Sequence, residues 1–173
     1  MINYNDKFKS DLFTGQIGEK VIADYFKLKY WNTLSFNNTN THDIIIEKDG
    51  IEIKLEVKTD LYEYFKGITT NNMFIEVKCN GHISGLSATK ADFFIYYYPA
   101  HEVFYLIKID KLRTLIRERG DLFHRAECCG DKGKVTGYIM NRFNQDFFKS
   151  YHIDFKTFED AYLEAIEKEK DKI

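Results

Sequence analysis

The sequence predicts a mixed α/β (α+β) domain in which helices flank a central β-sheet. Three observations predict it. Ile17, Val21, Tyr25 and Leu28 recur at helical spacing, with Ile22 and Phe26 widening the apolar stripe. From His42 to Lys58 the chain reads as two alternating strands joined at Asp49-Gly50. Phe93 to Tyr98 is apolar on both faces, as in a central strand covered on both sides.

Composition bounds the problem before any motif does. A chain of 173 residues fits one domain with a real core. The aromatic share of 16% makes that core rich in Tyr and Phe, and a single proline argues against a proline-rich linker. A net charge of −2 argues against a purely DNA-coating role but not against an enzyme with clustered acids and local basic patches. Met1 to Lys7 carries no apolar signal core and no run is long enough to span a bilayer, so a cytoplasmic protein without a membrane partner is expected. Cys79, Cys128 and Cys129 make no disulfide framework. Adjacent cysteines beside His124 are poor tetrahedral zinc ligands.

The elements follow in order. A helix is expected over about 11–29, with Thr14 near its N-cap and Glu19 close to its start, where an acid complements the helix dipole. Trp31 to Phe36 reads as a short strand and 37–41 as a polar loop. After the hairpin, Asn71 to Cys79 is a further strand, Gly81 to Gly85 a turn and Ser87 to Asp92 a short helical turn. Pro99 ends the central strand, and Glu102 to Ile109 returns antiparallel to it. Asp110 caps a helix running to Arg119. Residues 121–134 read as irregular, Val135 to Met140 as a strand, and Thr157 as the cap of a closing helix striped by Phe158, Ala161, Tyr162, Ala165 and Ile166. The whole, 1–173, is expected to be one domain, with a core over about 11–109 and a C-terminal helical extension over about 110–173.

The hairpin carries the chemistry. A two-residue turn at Asp49-Gly50 sets Ile46 against Ile53, Ile44 against Leu55 and Asp43 against Glu56. Ile44, Ile46, Ile51, Ile53, Leu55 and Val57 then share the buried face, while Asp43, Glu56 and Lys58 share the other. Opposed residues have Cβ atoms roughly 4.5–5.5 Å apart, so both carboxylates reach one cation. Mg²⁺ (or Mn²⁺) takes oxygen ligands and keeps several waters. Asp43, Glu56 and the Val57 carbonyl would hold it, and Lys58 would position a water or stabilise charge developing on a phosphate. Glu19 reaches toward a second metal or an outer water, and Glu76, expected on a neighbouring strand, does likewise. A solvated strand face in which Glu52, Lys54, Glu56 and Lys58 pair with one another accounts for the same alternation.

Asp43 followed by Glu56-Val57-Lys58 across a hairpin, with Glu19 in a preceding helix, resembles the PD-(D/E)XK nuclease superfamily. The resemblance covers about the first two-thirds of the chain. It implies a restriction-endonuclease-like αβββαβ core, with Asp43 and Glu56 as metal-binding acids, Lys58 as the lysine and Glu19 as the helical glutamate. Ile75-Glu76-Val77 followed by Ser84-Gly85 and Thr89-Lys90-Ala91-Asp92 further resembles small phage-type and Holliday-junction-resolvase-like members. The chain departs from the pattern at His42, where the family name implies proline, and nothing is carried over beyond Asp110.

The expectation is a Mg²⁺-dependent DNA endonuclease acting as a homodimer, structure-selective because no separate recognition domain is evident in the sequence. A catalytically inert nuclease-fold module binding DNA or protein, or a restriction-type endonuclease, are the alternatives. Lys90 and His42 are auxiliary candidates at the site. Lys108, Lys111, Arg113 and Arg117 form the densest basic group, to hold DNA phosphates or simply to be solvated.

Overall fold

The computed structural model describes residues 4–39, 41–129, 134–141, 146–154 and 157–170. It builds a six-stranded mixed sheet in the order β1-β2-β3-β6-β7-β10 and a four-stranded sheet in the order β5-β4-β9-β8. The first combines β1 (Asn32–Thr39), β2 (His42–Lys48), β3 (Ile51–Thr59), β6 (Phe93–Tyr98), β7 (Val103–Lys108) and β10 (Lys149–His152). The second combines β4 (Asn72–Cys79), β5 (His82–Ile83), β8 (Phe123–Cys129) and β9 (Val135–Asn141). The helices are α1 (Tyr4–Leu28), α2 (Tyr62–Lys66), α3 (Ile109–Glu118) and α4 (Phe158–Lys170). Among the described residues no helix is long and apolar enough to cross a membrane.

The six-stranded sheet has a core on each face. Because strand side chains alternate, Ile95 and Tyr97 of β6 join Ile44, Ile46 and Leu55 under Ile17, Val21 and Ile22 of α1 and Phe158 and Ala161 of α4. Phe94, Tyr96 and Tyr98 face the other way and pack on Met73, Ile75 and Met140 of the four-stranded sheet and Leu112 of α3. This double cover explains why β6 has no polar face. It pairs parallel to β3 and antiparallel to β7.

The hairpin register is the expected one, with Ile44 opposite Leu55, Ile46 opposite Ile53 and Lys48 opposite Ile51. Asp49 and Gly50 take φ of 54° and 77°, as a two-residue type I′ turn requires. Ile51, expected inward, is instead 62% exposed, because the buried face ends before the turn.

Several expectations are corrected. α1 begins at Tyr4, so Thr14 is a buried position inside the helix and not its cap. Lys108 occupies the N-cap position of α3 without a side-chain cap, and Asp110 lies in the first turn. Only Gly85–Ser87 forms a 3-10 turn where a helical turn over 87–92 was expected. Residues 121–134, expected to be irregular, contain β8. The expected helical extension supplies β8, β9 and β10 as well as α3 and α4. Thr157 does cap α4: its hydroxyl accepts the Asp160 N–H at 3.1 Å, and Asp160 Oδ2 accepts the Thr157 N–H at 3.1 Å.

Two glycines of α1 test the packing of this helix on β3. Gly in a helix interior costs about 1 kcal/mol against Ala. A Cβ on Gly15 meets nothing within 4 Å, whereas a Cβ on Gly18 falls 1.9 Å from Thr59 Oγ1. Gly15→Ala is therefore expected to stabilise the protein by about 0.5–1 kcal/mol. Gly18→Ala should reverse the sign and destabilise by about 1–3 kcal/mol. Urea unfolding of the two variants reads this directly, and equal effects would mean that α1 does not press on β3 at Gly18.

Candidate active site

The β2–β3 ladder stops at Ile44 and Leu55, and the next residues form the site. Asp43 does not continue the backbone ladder. Its carboxylate accepts the Val57 N–H at 2.7 Å. In a strand the N–H and C=O of one residue point to the same side, so the Val57 carbonyl also faces Asp43. Glu56 and Lys58 share the Asp43 face, on the side of the sheet that packs against the four-stranded layer. A cavity of about 230 Å³ opens there, lined by Asp43, Glu56, Val57, Lys58, Phe74, Glu76, Ser84, Gly85, Leu86 and Phe94.

Glu76 reaches the cavity from β4, in the second sheet, and not from a strand beside β3 as expected. The Ser84 hydroxyl donates to its Oε1 at 2.6 Å. Gly85 fits beneath it because a Cβ there would lie 2.5 Å from the Glu76 carbonyl oxygen. Glu19, in the C-terminal half of α1, approaches near enough for Asp43 and Glu56 to act on its carboxyl.

Electrostatics set this cluster apart. Burial, then the Asp43 and Glu56 charges, push the Glu19 carboxyl up to about 8. Burial and the Glu56 charge push Asp43 up to about 7, against the pull of the Val57 N–H and Lys58. Burial also raises Glu56, opposed by the Thr89 hydroxyl and Lys58 and reinforced by Glu76. Acids that repel one another while partly removed from water hold their protons unless a cation joins them.

Thr89 is a site residue that the sequence reading passed over. It is buried, its hydroxyl reaches the Thr41 carbonyl at 3.0 Å and it also neighbours Glu56. A hydroxyl has one proton, so Thr89 donates to one of the two at a time. Arg113 holds this segment in place. Its guanidinium donates to Leu86 O at 3.0 Å and Thr89 O at 2.8 Å, with Asp110 Oδ1 at 3.4 Å. Arg113 is thus a brace for the wall of the cavity, its donors spent on carbonyls instead of being free for phosphates.

The other candidates separate. His42 is buried, its ring held between Asn37 Nδ2 at 3.1 Å and Thr41 Oγ1 at 3.0 Å, and burial lowers its pKa. By alternation it faces away from Asp43. Lys90 is exposed, with its backbone N–H bound to Thr41 O at 2.7 Å. Arg117 is exposed and pairs with Glu118 at 3.5 Å. Lys108 and Lys111 line a different cavity.

Among the described residues no group of three or more His, Cys, Asp or Glu side chains is gathered closely enough to hold a metal ion. His124 and Cys129 therefore build no zinc site with a third described ligand, and the Cys128 side chain lies outside the description. The donor set at Asp43 and Glu56 is of another kind. Two oxygen acids and a backbone carbonyl, open to a cavity, fit a Mg²⁺-type ion that keeps waters and takes the remaining ligands from solvent or substrate.

No protein-family model matches the sequence, and no curated protein matches it. Among solved structures the chain is similar to a bacterial homing endonuclease, I-Ssp6803I, with a TM-score of 0.44 and 19% identity over 57% of this chain and 68% of that one. A likeness at that level decides neither fold nor chemistry, which rest on the residues themselves.

The raised carboxyls fix the sign of a pH effect. Glu19 and Asp43 keep protons in the folded state, up to about 8 and about 7, that the unfolded chain releases at its ordinary 4.5 and 3.8. Folding therefore takes up protons across that window, and stability falls as pH rises through it. In a chelating buffer the thermal midpoint is expected to drop from about pH 5 to about pH 8, and Glu19→Gln should flatten the upper part of the fall. A level profile in the wild type would show that these acids ionise as freely folded as unfolded.

Proposed function

We propose that this chain is a divalent-metal-dependent DNA endonuclease of the PD-(D/E)XK type, hydrolysing phosphodiester bonds at the Asp43–Glu56–Lys58 face. The observation that carries the reading is the bond from Val57 N–H to the Asp43 carboxylate at 2.7 Å. It fixes Asp43 beside Glu56 just past the end of the ladder, with Lys58 two residues on and exposed at the mouth.

Asp43, Glu56 and the Val57 carbonyl would hold Mg²⁺ or Mn²⁺. Bound there, the ion would supply Lewis acidity toward the phosphate and make a neighbouring water acidic enough to attack. Lys58, free at the mouth, orients the incoming water and offsets the charge that grows on the phosphate oxygens. Glu19, pushed up to about 8 by burial and by the Asp43 and Glu56 charges, would hold a proton near neutral pH and could pass one to the reacting groups. Thr89 and Arg113 keep the far wall in register with Glu56. Branched DNA is the substrate class favoured, with two copies of the chain addressing two strands.

The test is cleavage of end-labelled four-way junction, flap, duplex and single-stranded DNA with Mg²⁺ and with Mn²⁺. Cutting of at least one of these is expected. Glu56→Ala should reduce it to background, and Lys58→Ala should lower the turnover about 10²–10³-fold with KM little changed. Arg113→Ala is expected to impair cutting less, through a displaced wall. Metal binding without cutting of any substrate would make the chain a binding module, and full activity in both Glu56→Ala and Lys58→Ala would place the chemistry elsewhere.

A further inference from the structure

An apolar cavity lies on the opposite face of the six-stranded sheet from the acids. Phe93 alternates with Phe94, which lines the acid cavity, so the floor at Phe93 looks toward α1. Its volume is about 450 Å³, within the range of sites that seat a small organic group. Phe26, in the last turn of α1, and Trp31, just past it, form a half-buried aromatic wall and meet edge to face at 6.4 Å.

The rim is cationic. Lys108, Lys111 and Lys149 line the cavity, all three exposed, and no carboxylate is among its lining residues. Lys111 spends one donor on Phe147 O at 3.5 Å. Lys108 and Lys111 also stand on the ridge of a neighbouring cavity that carries Glu52, Asp92 and Asp110, which leaves Lys149 as the cation most fully turned to the apolar side. In the β7–β10 pairing Lys149 is opposite Leu106, so Lys108 is its diagonal neighbour, with Cα atoms roughly 7–8 Å apart. That spacing addresses successive phosphates of one strand, where a single anionic head group would need one lysine.

We propose that this cavity is a second nucleic-acid site, which seats one unstacked base of single-stranded DNA against Phe26, Trp31 and Phe93 while Lys108 and Lys149 hold the flanking phosphates. Each base presents an aromatic face, so stacking here is tolerant of sequence, and the lysines make the affinity fall with salt. A duplex keeps its bases inside the stack and offers only phosphates. This site is independent of the metal and of the acids on the other face.

Trp31 is the chain's one tryptophan and reports occupancy directly. Wild-type protein in chelating buffer is titrated with a short single-stranded DNA oligonucleotide while Trp31 emission is followed. Saturable quenching is expected, weakened in salt, with little quenching by the same sequence as duplex. Lys108→Glu/Lys149→Glu should lower the affinity about tenfold or more while unfolding with the wild-type midpoint. Absence of quenching up to about 100 μM oligonucleotide, the weak end of ordinary non-specific binding, would overturn the proposal. Equal quenching by duplex, or unchanged affinity in a folded double variant, would do the same. Because the titration contains no metal, its failure leaves the cleavage reading standing, and loss of cleavage leaves this one standing.

Discussion

Partly buried carboxyls that act on one another across the end of the β2–β3 hairpin are the constraint around which this site is arranged. Left alone, Glu19, Asp43 and Glu56 repel one another, Glu76 adds its charge against Glu56, and burial adds to the cost for the first three by taking their charge out of water. A protein can keep such a cluster only if the surrounding structure holds it by force of packing and hydrogen bonding. The Val57 N–H takes one Asp43 oxygen, Thr89 adjoins Glu56, and Ser84 takes one Glu76 oxygen. Asp43, Glu56 and Glu76 are thus each restrained by a neutral donor, and all three line the cavity.

The bracing comes from three separate parts of the chain. Tyr96 crosses between the layers, its hydroxyl donating to Asp60 Oδ2 at 2.8 Å and accepting the Phe74 N–H at 3.0 Å. Tyr98 ties the same strand to the start of β4 through Asn72 O at 2.9 Å. These bonds set β4, and with it Glu76, against β3. Arg113 fixes the Leu86–Thr89 wall from α3. On the other side, the close approach of Gly18 to Thr59 brings α1, and so Glu19, down onto the end of β3. The second sheet is therefore part of the site's construction as much as part of the core.

Local signals in the sequence carried the hairpin half of this arrangement. The Asp-Gly turn has few geometries open to it, so counting outward from it placed Asp43 at the Glu56 position before any tertiary contact was known. The doubly apolar FFIYYY run likewise identified the central strand, since burial on both faces leaves no room for alternation. Other features depend on contacts far apart in the chain. Nothing local distinguishes Arg113, a brace, from Arg117, an exposed neighbour on the same helix. Thr89 looked like a turn residue until the 85–89 segment folded back over Glu56. Glu76 was legible as an acid on a strand, but which sheet that strand joins is decided by β9 and β8, one of which was hidden in a stretch whose alternation is broken by His124, Arg125 and Glu127. Exposed edges of a small second sheet need no clean apolar pattern, so β8 left little trace.

The central claim is that Asp43 and Glu56 are held together for a cation. Calorimetric titration of the protein with Mn²⁺ near pH 7, repeated in buffers of different ionisation enthalpy, tests it most directly, because it counts both the ion bound and the protons displaced. Saturable binding with net proton release is expected, since the Asp43 carboxyl, raised to about 7, must give up its proton to a metal, and both signals should vanish in Glu56→Gln. Absence of binding in the wild type, or binding that survives in Glu56→Gln with no protons released, would contradict it.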